Sequence, residues 1–218
     1  MTSALLLSLL VGTLATLLAL PPAVAFGWLF ARKSFPGKTL LETALLLPLV
    51  LTPVVTGWGL LLLFGRSGLF GRTLADADIP VAFTFAGAVL AAAVMAFPLA
   101  FRACRLAFEQ VDPRLESVAR TLGASKARTF FAIALPLAKG GVVAAAVLAF
   151  ARCLGEFGAT MVFAGNVPGE TQTLPLLVYT LLQTPDGFGA AWQPALASVG
   201  IAFVLLAAGE RALRRRPA

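Results

Sequence analysis

Five apolar runs divide the chain, and one long polar stretch separates the third from the fourth. The first 31 residues carry no charged side chain. Their apolar part, residues 4–30, makes a helix of ~40 Å at ~1.5 Å per residue, enough to cross a ~30 Å hydrocarbon layer with some tilt. Pro21-Pro22 is expected to kink it. Further runs cover about residues 40–64, interrupted by Pro48 and Pro53, then the alanine-rich 79–101, then 140–163 and 192–208. The apolar residues 173–182 are too few to cross and read as a re-entrant or interfacial helix. The pattern predicts an all-α polytopic membrane protein of five spans, or six if 173–182 also crosses, with residues 1–218 forming one transmembrane domain.

Composition agrees with lipid as the solvent. The chain is 59% hydrophobic and 12% charged, whereas a soluble domain carries roughly 25% charged residues. Histidine is absent, which removes the commonest general base and metal ligand. Cys104 and Cys153 have no metal-type spacing and read as plain thiols. No cofactor or metal is expected. Ala23-Val-Ala25 resembles a signal-peptide cleavage site, but a basic leader is missing and the apolar run is too long.

Charge orients the spans. Arg32, Lys33 and Lys38 follow the first run. Arg102, Arg105, Arg114, Arg120, Lys126, Arg128 and Lys139 lie in the long loop, and Arg211, Arg214, Arg215 and Arg216 follow the last run. These are 14 of the 17 basic residues, all on one side of a five-span protein. The other side has Arg66 and Arg72, and Arg152 lies within a span. Positive loops stay in the cytoplasm. The expectation is therefore a multi-pass protein of the cytoplasmic (inner) membrane, with its N-terminus outside, its C-terminus inside and residues 102–139 as a cytoplasmic loop. The net charge of +7 then reflects topology and needs no nucleic-acid partner.

The loop reads Asp112-Pro-Arg-Leu-Glu-Ser-Val-Ala-Arg-Thr-Leu-Gly-Ala-Ser-Lys126. Asp112 suits an N-cap and Pro113 the first helical position. Leu115, Val118, Ala119 and Leu122 fall at i, i+3, i+4 and i+7, one apolar stripe on a short helix. Gly123 stops it where a left-handed residue is often needed. Ser125 caps a second helix, 126–135, which Pro136 separates from the fourth span. A short helix with a greasy stripe and flanking arginines is suited to docking a soluble partner. Ala119-x-x-x-Gly123 also has the spacing of a DNA-binding helix-turn-helix, but the element is tied to a bilayer at both ends.

Gly123 followed by Ile133-x-Leu135-Pro136 resembles the signature loop of permease subunits of ABC-type importers. Family members usually carry Glu-Ala-Ala ahead of the glycine. This chain has Ser117-Val-Ala119, with Glu116 one place earlier. Phe35-Pro-Gly-Lys38, Leu47-Pro-Leu-Val-Leu-Thr-Pro53, Gly87-Ala-Val-Leu-Ala-Ala-Ala-Val-Met95 and Gly165-Asn-Val-Pro-Gly-Glu-Thr-Gln-Thr-Leu-Pro175 are similar to molybdate permeases. Gly155-Glu-Phe-Gly-Ala159 is shared with sulfate permeases. The resemblance implies a homodimer around a central pathway, two copies of a cytoplasmic ATPase on the coupling loops and a soluble oxyanion-binding protein outside. It implies coupling residues at Leu115, Glu116, Ala119, Leu122, Gly123, Leu135 and Pro136, and transport of molybdate or tungstate by alternating access, with sulfate or another oxyanion as the alternative.

The chain's own residues agree with an ATPase on another subunit. There is no Gly-x-x-x-x-Gly-Lys-Ser/Thr, and Gly71-Arg-Thr73 lacks both the lysine and the upstream glycine. Arg152 and Glu156 stand four apart in an apolar run and are expected to share a helix face. Intramembrane charges usually face a cavity or each other. Two readings stay open: a structural pair at an interface, or groups that line or gate the anion path, with Thr160 extending the polar face. Gly155 and Gly158 are expected to permit close helix packing. A membrane enzyme would need more polar residues at one depth. A secondary transporter would not need such a docking loop.

Overall fold

A computed structural model describes residues 1–185 and 187–214. Arg215 and Arg216, of the basic cluster invoked for orientation, lie outside the described residues. Those described form helices α1 (Thr2–Arg32), α2 (Lys38–Val50), α3 (Pro53–Phe64), α4 (Gly71–Asp76), α5 (Phe85–Glu109), α6 (Pro113–Thr121), α7 (Lys126–Thr129), α8 (Leu135–Leu154), α9 (Gly158–Phe163), α10 (Leu174–Leu182) and α11 (Phe188–Arg214). A π-helical turn, Phe130–Ala134, joins α7 to α8.

The centre of the bundle is a seam of small residues between α1 and α5. Ala15, Ala19 and Ala23 of α1 and Ala88, Ala92, Ala96 and Ala100 of α5 are all buried. Small residues let two backbones approach closely in lipid, where packing replaces the hydrophobic drive. At Gly27 the approach is close enough that an added Cβ would stand 2.9 Å from Cys104 Cβ and 3.0 Å from the Arg105 nitrogen. α8 joins this pair through Gly141, which lies against Ala107, and through Phe150, whose ring lies against Gly12. α1 remains helical through Pro21-Pro22, so the expected kink does not become a break.

Among the described residues, four helical stretches are long and apolar enough to cross a membrane: Thr2–Arg32, Phe85–Glu109, Lys126–Leu154 and Phe188–Gly209. Residues 40–64 differ from the expected single interrupted span. They form α2 and α3, bent by 116° at Leu51-Thr52. Each alone is ~20 Å long, too short to cross. Thr52 precedes Pro53, and the residue before a proline is driven out of the helical region, so the chain turns there. The pair still follows α5. Glu42 reaches Arg105, Pro48 lines a recess with Ala93 and Phe97, and Leu60 clusters with Ala91 and Met95.

Two boundaries also move, and one expectation holds. The third span starts at Phe85, because the Thr84 hydroxyl caps its first turn by accepting from the Gly87 nitrogen at 3.2 Å. The second loop helix and the fourth span are not separated by Pro136; helix runs from Lys126 to Leu154. The widened π turn places Pro136 at the start of a fresh α segment, where its missing N–H and its ring are tolerated. α10 has nine residues, ~14 Å of helix, and does not cross, in line with the reading of 173–182.

Candidate functional site

Local sequence builds the 112–126 loop as its caps predict. The Asp112 carboxylate accepts from the Arg114 nitrogen at 2.9 Å, and the Ser125 hydroxyl accepts from the Arg128 nitrogen at 3.2 Å. Gly123 has φ +91°, the left-handed region that glycine enters without penalty. α6 has no buried residue. Its apolar stripe faces solvent, with Leu115 47%, Val118 56% and Leu122 83% exposed; Ala119 is half-buried. Leu122, the C-cap of this nine-residue helix, is thus exposed in a loop that also carries Arg114, Arg120, Lys126 and Arg128. Leu135 is half-buried and packs on the core, and Pro136 is exposed.

Glu116 points the other way. Its carboxylate receives the Arg32 Nε at 2.6 Å, and Arg32 Nη2 donates to the Val111 carbonyl at 2.7 Å. Two further cations brace the same end of the bundle. Arg105 pairs with Glu42 and, at 2.7 Å, with Glu109. Lys38 Nζ donates to the carbonyls of Phe30 at 2.7 Å and Lys33 at 3.0 Å. Sequence reading counted Arg32, Lys38 and Arg105 only toward orientation. The Arg32–Glu116 and Arg105–Glu42 partners lie 84 and 63 residues apart, where no periodicity marks them; Arg105–Glu109 is an i,i+4 pair and the Lys38 acceptors are local.

In the fourth span, the structure brings Arg152 and Glu156 together but not on one helix. α8 ends at Leu154 with Gly155 as its cap, and α9 begins at Gly158. The expected shared helix face is therefore corrected to a contact across a break. Arg152 Nη1 stands 2.8 Å from Glu156 Oε2, off the line of a directed hydrogen bond, so the contact is an ion pair. Glu156 Oε1 accepts from the Ala159 nitrogen at 2.9 Å. The carboxylate thus also satisfies a free N–H at the start of α9, as helix ends require.

Gly158 packs closely, with an added Cβ falling 2.8 Å from Pro53 Cβ, whereas Gly155 has no neighbour within 4 Å. Gly155 ends a helix instead of joining two. Thr160 is buried within α9 and does not extend an exposed polar face. That placement follows from the close packing of α9 on α3, where Gly57 lies against Ala159.

The 165–175 run is a folded clasp. Gly165 and Gly169 are left-handed, with φ +79° and +83°. Gln172 Nε2 donates to Asn166 Oδ1 at 3.0 Å, Asn166 Nδ2 donates to Thr180 Oγ1 at 2.8 Å, and the Leu174 nitrogen donates to Ser8 Oγ at 2.7 Å. These bonds tie α9, α10 and α1 at one end of the bundle.

The described residues form a bundle of apolar helices long enough to cross a membrane, with a polar loop that exposes leucines. Residues 23–216 match the family described as binding-protein-dependent transport system inner membrane component, and the chain belongs to it. It is 53% identical over 208 residues to the molybdenum transport system permease protein ModB of Escherichia coli (strain K12), covering 95% of this chain and 91% of that one. It is 37% identical to the sulfate transport system permease protein CysW of Synechocystis sp., covering 84% of this chain and 69% of that one. Its fold is similar to the crystal structure of a bacterial ABC transporter involved in the import of the acidic polysaccharide alginate, with TM-score 0.78 at 14% identity over 100% of this chain and 80% of that one.

Proposed function

We propose that this protein is the permease subunit of an ATP-driven importer that passes molybdate or tungstate from an external binding protein to the cytoplasm. The observation that carries the substrate is the 53% identity to a molybdenum permease across nearly the whole chain, against 37% to a sulfate permease. Two copies of the chain form the pathway within the lipid bilayer, and each contributes the single domain 1–218. Residues 102–139 form the coupling loop on the cytoplasmic side, where ATP hydrolysis occurs on a separate subunit. The exposed stripe of Leu115, Val118 and Leu122 supports ATPase docking. Arg152 and Glu156, at a break in an otherwise apolar span, are the candidates for the gate. A broken helix at membrane depth is tolerated where it lines a cavity or is buried in protein.

The test uses the reconstituted transporter. Leu122→Asp puts a charge on the docking stripe, and Gly123→Asp forces a side chain into a left-handed position with no clash inside this chain. Both variants insert, and Leu122→Asp loses co-purification of the ATPase. Retained ATPase binding and uptake in both would refute docking through this loop. Molybdate uptake that sulfate abolishes at equal concentration would reassign the substrate to sulfate.

A further inference from the structure

Glu116 is the single acidic side chain of α6, and it faces the protein's own α1. Arg32 is the last residue of α1, and its guanidinium grips α6 at two points. One is the Val111 carbonyl, just before the Asp112 cap, and the other is Glu116, one turn into the helix. The Arg32 and Glu116 side chains are 10% and 12% exposed, unlike the stripe beside them. Two fixed points set both the position of the helix and its rotation about its own axis. The planar guanidinium presents its two donors in a fixed fork, whereas a lysine ammonium is a compact charge on a flexible stem and does not fix the two acceptors relative to each other.

The anchor itself is stiff. Phe30 packs edge-on against Phe101 at 5.3 Å and against Phe35 at 5.5 Å. Lys38 clamps the last carbonyls of α1, and Gly27 lies against the backbone of α5. A push on α6 therefore arrives at α1 and α5 as a block, with little slack.

We infer that Arg32 is the positioning residue of the docking helix, delivering displacement of α6 to the packed α1–α5 pair through Glu116, and that Glu116 is an internal tether instead of an ATPase contact. This rests on the reading that α6 docks an ATPase.

The experiment uses the full transporter in vesicles and reads uptake per ATP hydrolysed, which a simple loss of assembled complex would not change. Arg32→Lys keeps the charge and loses the rigid fork that fixes both acceptors. Uptake per ATP falls about ten-fold, within the usual span of coupling between sites, while the ATPase still co-purifies. The exchange Arg32→Glu with Glu116→Arg recovers uptake relative to either change alone. Glu116→Gln serves in place of the charge reversals if these fail to insert, and it too lowers uptake per ATP with the ATPase still bound. Unchanged uptake per ATP in Arg32→Lys would overturn the inference. So would loss of ATPase binding in Glu116→Gln, which would make Glu116 a partner contact. Leu122→Asp, run alongside, separates the two readings: if it still binds the ATPase, the docking reading fails and not the tether alone.

Discussion

Removing Arg152 should cost this protein more than neutralising Glu156. The pair is asymmetric in burial: the Glu156 side chain is 2% exposed and that of Arg152 is 27% exposed. Arg152→Ala leaves a carboxylate stranded in a dry site, with only the Ala159 N–H still facing it. Breaking a buried pair from one side costs about 3–5 kcal/mol, and the retained hydrogen bond keeps the loss near ~3 kcal/mol. Glu156→Gln keeps an oxygen for Ala159. It leaves a guanidinium whose long stem lets the head reach water, at a loss of about 1 kcal/mol. For a chain of this size ~1 kcal/mol shifts the midpoint by roughly 2–4 °C. The expectation is thus a fall of about 6–12 °C for Arg152→Ala and about 2–4 °C for Glu156→Gln. The double variant should lie near Glu156→Gln alone, a coupling of about 3 kcal/mol. Thermal unfolding in detergent measures all four states, and uptake in vesicles reports the pathway role. Equal losses in the two single variants, or an additive double, would refute the reasoning from burial. Normal stability with abolished uptake in Arg152→Ala would make the arginine an anion ligand instead of a structural partner.

Gly57→Val should separate α3 from α9, because its Cβ would stand 2.8 Å from the Ala159 carbonyl oxygen and 3.0 Å from Ala159 Cα. Backbone cannot rotate away, so the loss should be ~1–3 kcal/mol; Gly59→Val, open within 4 Å, is the control and should melt normally. Orientation can be read with a membrane-impermeant thiol reagent, since the native Cys104 and Cys153 are buried. Applied from outside, it should label Val167→Cys and spare Arg114→Cys and Arg214→Cys; the reverse pattern would invert the topology.

What was legible in the sequence was what local chemistry decides. Asp112, Pro113, Gly123 and Ser125 bound the docking loop because caps and left-handed turns act on neighbours within four residues. The apolar runs located the spans, since lipid imposes length. The turn at Leu51-Thr52 was legible as an interruption through Pro48 and Pro53, but its 116° angle comes from packing on α5 and α9. Gly155 and Gly158 looked alike in the sequence. One ends a helix and the other packs, and only the position of α3 tells them apart. The pairing of Arg32 with Glu116 spans 84 residues, beyond the reach of any periodicity. The candidate gate was half legible: the two charges were visible, the break between them was not.

The alanine seam has a consequence for permeability. Along the middle of the α1–α5 contact the side chains are mostly methyl groups, and Ala15, Ala23, Ala88, Ala92 and Ala96 are fully enclosed. A hydrated dianion finds no polar lining and no width along that seam, and stripping its water in such a place would be prohibitive. A conducting route therefore cannot follow the α1–α5 seam, which serves to hold the two helices as one wall.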